Sequence, residues 1–380
     1  MKTYAYGKQS ISWGDIWEVV KVLRSPLLTQ GPKVKEFEDA LCAYTGAKYC
    51  VVVANGAAAL HLAMLSLELN PGDQAITTPI TFAATANSVL YAGGSVKFAD
   101  VQTDTANIDT YEIIKNITDK TKVLVPVHFA GQSCDMQKIR EIADKHKLFV
   151  VEDAAQAIGS EYNGLKVGCC KYSDLAIFSF HPVKTVTTGE GGAIMTNNKD
   201  LYEKLLMLRT HGITRNTDYF TRDEGPWYCE QHVLGFNYRL TDFACALGIS
   251  QLKRLEDFTK RRREIVEFYK NAFSDDERFG YLTEMPYSKA CYHLFPLLIN
   301  FKKIKSDKKE IFEKLKQKNI HVQVHHIPVY WHPYYQKLGF NQGDCPVAES
   351  YYKSAVSLPL YSGLMDADLR YVVDAVKRAC

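Results

Sequence analysis

The feature that most constrains the fold is a long alternation of short apolar runs and helical segments along the first half of the chain. The runs are four to seven residues long and rich in β-branched residues, which is typical of buried strands. Continuous apolar strands separated by helices predict an α/β fold with a mostly parallel sheet covered on both faces. Seven strands are predicted: Tyr49–Val53, Gln74–Thr78, Ser95–Ala99, Lys122–Val127, Leu148–Val151, Asp174–Phe180 and Gly192–Thr196.

Beyond Thr196 the pattern changes to longer, charged helices. One helix is predicted over Phe243–Phe273, and the strands Tyr292–Ile299 and His321–Val324 follow it. This change predicts two parts, an N-terminal arm with a large domain over residues 1–255 and a smaller α+β domain over residues 256–380. Within the long helix, the run Lys260–Arg263 is predicted to be a solvated face, with diphosphate binding as the alternative.

Charge and hydropathy exclude several classes of protein. The formal net charge is +3, and no basic stripe stands out, which argues against a nucleic-acid-binding protein. The N-terminus lacks the apolar segment of a secretory signal, and no apolar run approaches the roughly 18 residues of a membrane span. We therefore expect a cytoplasmic protein that binds neither membranes nor nucleic acid, and no metal-ligand spacing is present.

Parallel sheets bind ligands at the carboxyl ends of their strands. Small residues, Asn55–Ala59, follow the first strand and precede a helix, so free N–H groups there suit a phosphate. Asp153 and Gln156 follow the fifth strand. Asp153 is either the partner of a buried cation or a helix N-cap, and the residues alone leave that choice open.

Lys184 follows the sixth strand and precedes a glycine-rich run. Most lysines are solvated, but a desolvated lysine at this edge would lose its proton and attack a carbonyl. These groups together match the needs of pyridoxal 5′-phosphate (PLP). Lys184 would attach the cofactor, and Asp153 would keep its ring nitrogen protonated. The remaining predicted cofactor contacts are Ala57, Ala58, Phe82, Gln156 and Ser179.

Several ordered stretches closely resemble the DegT/DnrJ/EryC1/StrS family of fold-type I PLP-dependent sugar aminotransferases. They are Leu28–Glu38, Asn55–Leu60, Thr77–Ser88, Glu152–Gly168, Phe178–Ala193, Arg209–Ile213 and Gly235–Leu252. The resemblance implies a homodimer with a shared active site, in which Asn237 crosses to the partner's cofactor phosphate. It also implies L-glutamate as amino donor and a nucleotide-linked keto sugar as acceptor.

Within the family, the resemblance is strongest to transaminases that aminate C4 of a UDP-linked 4-keto-6-deoxy-N-acetylhexosamine. That resemblance implies these substrate contacts: Tyr6, Pro26, Leu27, Leu28, Thr29, Gly56, Ser179, His181, Asn237, Gln323, Val324, His325 and His326. Three alternatives stay open: a different keto sugar, the family's 3-dehydration chemistry, and a PLP-binding regulator without turnover. The dehydrating relatives carry histidine in place of the lysine, which argues against that chemistry here. Two departures from the family pattern are the Gly56-Ala57-Ala58 turn, which lacks hydroxyls, and a long Thr214–His232 segment.

Overall fold

The computed structural model describes residues 2–380. Within them, the strands are β1 Tyr4–Ala5, β2 Tyr49–Val53, β3 Gln74–Thr77, β4 Ser95–Phe98, β5 Thr121–Val125, β6 Phe149–Asp153, β7 Glu161–Tyr162, β8 Leu165–Lys166, β9 Leu175–Ser179, β10 Gly192–Thr196, β11 Ile213–Thr214, β12 Glu230–Gln231, β13 Phe279–Tyr281, β14 Ser288–Lys289, β15 Phe295–Ile299, β16 Ile320–His321 and β17 Ala355–Leu358. The α-helices are α1 Trp13–Leu23, α2 Pro32–Thr45, α3 Gly56–Ser66, α4 Ala83–Tyr91, α5 Thr110–Asn116, α6 Met136–His146, α7 Lys199–Arg209, α8 Asp242–Leu252, α9 Leu255–Phe273, α10 Lys308–Gln317, α11 Pro333–Gln336, α12 Pro346–Ser354 and α13 Asp366–Ala379.

The central sheet has seven strands in the order β2-β10-β9-β6-β5-β3-β4. Strand β10 runs antiparallel to both of its neighbours, and the other pairings are parallel. The predicted α/β fold with a mostly parallel seven-stranded sheet is therefore confirmed. The carboxyl ends of β2, β6 and β9 meet at one edge of this sheet, where ligands of such folds bind.

Helices cover both faces of the central sheet. On one face, α3 packs against α4 and α7 and buries an almost entirely apolar sequence. On the other face, α2 and α8 bury Phe37 and Leu41 against β2, β9 and β10. Since both faces of most strands are buried, those strands are continuously apolar, as the sequence pattern indicates. The edge strand β4 differs, because Ser95 and Lys97 are exposed. No helix among residues 2–380 has the length and apolar character needed to cross a membrane.

A second apolar core lies in the C-terminal part of the chain. There α9, α10 and α13 pack against the three-stranded sheet β13-β15-β17. The N-terminal arm reaches this core, because β1 pairs in parallel with β16 and Tyr4 is buried among its side chains. The division between residues 255 and 256 stays a prediction.

The structure corrects three predicted elements of the C-terminal part. The single helix over Phe243–Phe273 is wrong, because α8 and α9 are separated at Arg254, whose backbone leaves the helical region with φ −105° and ψ 3°. The strand over His321–Val324 shrinks to β16, because the chain changes partner there and Gln323 pairs with Ser357 instead. The Tyr292–Ile299 strand begins only at Phe295, since Tyr292 has a φ of +52°.

A buried carboxylate docks the N-terminal arm on the large domain. Asp15 in α1 accepts hydrogen bonds from Ser250 Oγ at 2.6 Å and from Gln251 Nε2 at 2.8 Å. Arg254 Nη1 adds an ion pair at 2.8 Å. The arm then passes the Lys184 loop, where a Cβ added to Gly7 would lie 3.3 Å from Val183 Cβ.

Candidate active site

The first turn of α3 and the end of β9 are in close contact at the carboxyl edge of the sheet. A Cβ added to Gly56 would lie 2.9 Å from Ser179 Cβ, a distance that real side chains do not tolerate. Gly192 is also required, because its Cβ would lie 2.5 Å from the carbonyl oxygen of Asn55. These glycines bring Gly56 and Ser179, both predicted ligand contacts, side by side.

The N-terminus of α3 offers backbone donors for an anion. Asn55 caps the helix, and its Oδ1 accepts the Ala58 N–H at 2.8 Å. The amides of Gly56 and Ala57 make no hydrogen bond within residues 2–380. The Ala58 N–H is already bonded to the cap, and the predicted cofactor contact of Ala58 stays a prediction. Gly56 and Ala57 keep free amides at the positive end of the helix dipole.

Asp153 is buried at the end of β6 and has no ion-pair partner within residues 2–380. Its Oδ2 accepts a 2.6 Å hydrogen bond from Thr85 Oγ1, and its Oδ1 accepts the Ala155 N–H at 3.2 Å. Burial raises the pKa of Asp153, and the hydrogen bonds and the positive charge of Lys184 oppose that rise. A buried carboxylate in this state fits the protonated nitrogen of a pyridine ring.

His128, which the sequence analysis did not identify, is hydrogen-bonded to the backbone of Asp153. The His128 backbone N–H donates to the Asp153 carbonyl at 3.1 Å. Its ring Nδ1 accepts the Cys134 N–H at 3.2 Å, so its Nε2 carries the hydrogen that points to Glu152 Oε2, 2.7 Å away. This network fixes the backbone at the end of β6. No sequence signal identifies His128, because its partners lie on a different strand and loop.

Lys184 lies in the loop between β9 and β10, and most of its side chain is buried. Burial lowers the pKa of Lys184 to about 8, and the charge of Asp153 opposes that shift. The loop is shaped by a 2.9 Å hydrogen bond from the Lys184 N–H to the His181 carbonyl. A larger fraction of this amine is therefore neutral near pH 8 than for an ordinary lysine, which is the state that attacks an aldehyde.

Phe82 and Gln156 are two further residues that were predicted to contact the cofactor. Phe82 is the N-cap of α4, three residues before Thr85, and 68% of its surface is exposed, so its ring face is free for stacking. Gln156 Oε1 accepts the Ala130 N–H at 2.8 Å, which fixes its amide plane and leaves its Nε2 as a donor. With the Asp153 carboxylate and the α3 amides, these groups fit PLP.

Histidines from the C-terminal part line the same region. His325 is buried with Nδ1 2.9 Å from Ser357 Oγ, and the Tyr6 ring packs on it at 4.8 Å between centroids. The ring of His326 lies 6.3 Å from that of Phe82. Burial and the Lys184 charge lower the pKa of both histidines, that of His325 to about 4. The structure thus brings Tyr6, His325, His326 and Phe82 together, and their ligand contacts stay predictions.

Several other predicted substrate contacts are exposed in the single chain. The segment from Pro26 to Thr29 is exposed and anchored to α8, where the Leu28 carbonyl accepts the Asp242 N–H at 2.9 Å. His181 and Asn237 are exposed as well. Gln323 is exposed, and its Oε1 accepts the Val324 N–H at 3.0 Å. Their substrate roles stay predictions.

The long Thr214–His232 segment folds into a hairpin through β11 and β12. Glu230 organises it by accepting hydrogen bonds from the Thr221 N–H at 2.9 Å and from Tyr228 OH at 2.8 Å. Trp227 stays 72% exposed on this hairpin.

The parallel sheet and the Lys184–Asp153 pair at its carboxyl edge define a PLP-dependent enzyme of fold type I. Residues 10–377 match the DegT/DnrJ/EryC1/StrS aminotransferase family, and the chain belongs to that family. Members of this class have been solved in PLP and pyridoxamine forms, and the cofactor prediction is confirmed.

Named relatives cover nearly the whole chain. The UDP-4-amino-4,6-dideoxy-N-acetyl-β-L-altrosamine transaminase of Campylobacter jejuni is 41% identical over 98% of this chain and 96% of its own. The spore coat polysaccharide biosynthesis protein SpsC of Bacillus subtilis is 40% identical, also over 98% and 96%. The structure of Helicobacter pylori PseC, an aminotransferase involved in pseudaminic acid biosynthesis, superposes with a TM-score of 0.91 at 34% identity, covering 100% of this chain and 99% of that one.

Proposed function

We propose that the chain transfers the amino group of L-glutamate to C4 of a UDP-linked 4-keto-6-deoxy-N-acetylhexosamine. The product would be UDP-4-amino-4,6-dideoxy-N-acetyl-β-L-altrosamine, a step of pseudaminic acid biosynthesis. The observation that carries the aminotransferase chemistry is the half-buried Lys184, which interacts electrostatically with the buried carboxylate of Asp153. The full-length likeness to the Campylobacter transaminase and to PseC supports this sugar in particular.

The residues of this chain divide the work as follows. Bound PLP supplies an aldehyde carbon and an electron-poor ring. Asp153 would hold the ring nitrogen, and the amides of Gly56 and Ala57, with Ser179, would hold the phosphate. The neutral amine of Lys184 would remove the proton from the amino-bearing carbon of glutamate, and the protonated amine would later deliver a proton to C4 of the sugar. Tyr6, His325 and His326 would enclose the sugar.

A homodimer completes this site in our proposal. Asn237 is exposed in the single chain, where a partner surface can cover it. Large apolar side chains are also exposed on the N-terminal arm. Trp13 is 84% exposed, Trp17 is 55% exposed and Leu27 is 51% exposed. A second copy would bury such residues and bring its Asn237 to the cofactor phosphate.

A different nucleotide-linked keto sugar is the second candidate. SpsC, named for spore coat polysaccharide biosynthesis, is as similar to this chain as the Campylobacter transaminase is. The hairpin at Thr214–His232 could also reshape the sugar pocket. Lys184 argues against 3-dehydration, because the dehydrating relatives have histidine at that position.

Product analysis distinguishes these candidates. The PLP-loaded protein is incubated with L-glutamate and a panel of UDP- and dTDP-linked 4-keto and 3-keto sugars, and the products are identified by mass spectrometry and NMR. We expect the UDP-linked 4-keto-6-deoxy-N-acetylhexosamine to give the 4-amino sugar with the highest kcat/KM. A faster reaction with another sugar would contradict the proposed substrate, and no amino sugar from any acceptor would contradict the transaminase itself.

A further inference from the structure

Arg262, in the middle of α9, is a buried cation without an acidic partner. Only 2% of its surface is exposed, and burial lowers its pKa to about 10. Its neighbours in sequence differ, because Arg261 pairs with Asp366 at 2.9 Å and Arg263 pairs with Glu284 at 2.6 Å. The solvated-face interpretation of this basic run is therefore wrong for Arg262. A buried, unpaired guanidinium is costly unless an anion joins it.

Nη1 of the Arg262 guanidinium is hydrogen-bonded, whereas the edge formed by Nε and Nη2 has no hydrogen-bond partner within residues 2–380. Nη1 donates to the carbonyls of Tyr292 at 3.3 Å, His293 at 3.3 Å and Leu360 at 3.0 Å. Nε is buried without a partner, and Nη2 makes no hydrogen bond within residues 2–380. The N–H groups of Nε and Nη2 point in the same direction, with the spacing that two carboxylate oxygens need.

Arg262 and Lys184 share two buried neighbours, Cys291 and His293. The charges of Lys184 and Arg262 both lower the pKa of His293, and burial has the larger effect. Cys291 also interacts electrostatically with both Lys184 and Arg262. Its Sγ donates to the Gln156 carbonyl at 3.3 Å, so this cluster adjoins the residues that would hold the cofactor. His293 keeps an unpaired, buried Nδ1, which marks the cluster as incompletely satisfied.

We propose that Arg262 binds a carboxylate of the amino donor through its Nε and Nη2 edge. This inference rests on the proposed function, because it takes a dicarboxylic amino acid as the donor. The free edge, the absence of an acidic partner within residues 2–380 and the neighbours shared with Lys184 all point to an anionic substrate group. The three backbone carbonyls on Nη1 orient the guanidinium before the donor arrives, which limits the cost of binding.

The test follows the half-reaction with glutamate alone, through loss of the PLP absorbance and release of 2-oxoglutarate. Arg262→Lys keeps the charge but not the two-pronged edge, and Arg262→Gln removes both. We expect the apparent Kd for glutamate to rise at least about tenfold in Arg262→Lys and further in Arg262→Gln, because a bidentate charged contact is lost. The half-reaction with the keto sugar should change by less than about threefold, since the acceptor has no carboxylate. Arg261→Gln is the matched control and should bind glutamate normally.

Unchanged glutamate affinity in Arg262→Lys, or an equal loss in both half-reactions, overturns the proposal. If the variants do not fold, a crystal structure of the PLP-loaded wild-type protein soaked in glutarate decides the point. We expect a carboxylate on Nε and Nη2 of Arg262, and a carboxylate bound elsewhere overturns the assignment. If the wild-type protein does not react with glutamate at all, the proposed donor is wrong. The structure with glutarate then still shows whether Arg262 binds a carboxylate.

Discussion

Thr85 Oγ1 donates a 2.6 Å hydrogen bond to the Asp153 carboxylate, and Thr81 Oγ1 lies 2.7 Å from Thr85 Oγ1. Two buried hydroxyls in series thus reach the acid that would face the cofactor ring. A hydrogen bond to a carboxylate favours its ionised form, and burial disfavours it. The pKa of Asp153 is raised by burial, so Thr85 limits that rise and helps keep the carboxylate charged.

Thr85→Val should therefore weaken catalysis without removing the acid. A hydrogen bond to a charged group contributes about 1.5–3 kcal/mol, so we expect kcat to fall by about 10- to 100-fold. The kcat of Asp153→Asn should fall further than that of Thr85→Val, and this variant should also bind PLP less tightly. Ser88→Ala, on the same helix, is the control, because Ser88 Oγ donates to the Thr85 carbonyl and not to Asp153. Equal kcat in Thr85→Val and the wild-type protein would count against this role.

The lowered pKa of Lys184 predicts how the PLP-free protein captures its cofactor. Its pKa is about 8 instead of 10.5, so its amine becomes mostly neutral above about pH 8. We expect the rate of covalent PLP capture to rise about tenfold per pH unit below this value and to level off above it. Stopped-flow absorbance measures this profile.

The same pH profile of PLP capture is measured for the Asp153→Asn variant as a comparison. It removes the negative charge that raises the pKa of Lys184, so the plateau should begin at lower pH. A wild-type rate that keeps rising to pH 10 would show that the amine is not desolvated as described.

Close packing between Gly56 and Ser179 predicts a steric effect on cofactor binding. In Gly56→Ala, the new Cβ would lie 2.9 Å from Ser179 Cβ, so the first turn of α3 must shift. Overpacking typically costs about 1–3 kcal/mol, and we expect a lower Tm together with a PLP Kd raised about tenfold or more. Fluorescence titration with PLP and thermal unfolding measure both.

The double variant Gly56→Ala/Ser179→Gly separates packing from the hydroxyl. It should regain most of the lost Tm while PLP affinity stays weak, because the Ser179 hydroxyl is absent. If Gly56→Ala alone keeps the wild-type Tm and PLP affinity, the close approach between Gly56 and Ser179 is contradicted.

Sequence periodicity could predict the central sheet because most of its strands are buried on both faces and carry a local signal. The strand bounds of Tyr49–Val53 and Gly192–Thr196 were predicted without error. The break at Arg254 could not be predicted, because no glycine or proline marks it and Arg254 pairs with Asp15, which is distant in sequence. Lys184 and Asp153 were visible as polar residues after apolar strands. His128, His293 and Arg262 were not, since each gains its environment from segments far away in sequence.

A shared active site predicts complementation between two inactive variants. Lys184→Ala and Asn237→Ala should each be inactive alone or nearly so. In a mixed dimer, one site would combine the intact Lys184 of one chain with the intact Asn237 of its partner. Equal mixing and random exchange should therefore restore about a quarter of the wild-type activity.

Two measurements control the mixing experiment. Light scattering should report a dimer for each variant, and Lys184→Ala mixed with itself after the same treatment should stay inactive. No recovery from fully exchanged dimers would show that each site takes Lys184 and Asn237 from the same chain, or that Asn237 has no role.

The most direct test of the account is to locate the lysine that carries the cofactor. The PLP-loaded protein is reduced with borohydride, digested and mapped by mass spectrometry, with Lys199→Ala as a control for an exposed lysine. We expect the reduced pyridoxyl group on Lys184 in the wild-type protein and in Lys199→Ala, and no adduct in Lys184→Ala. An adduct on another lysine, or no adduct in a protein saturated with PLP, would contradict the central claim.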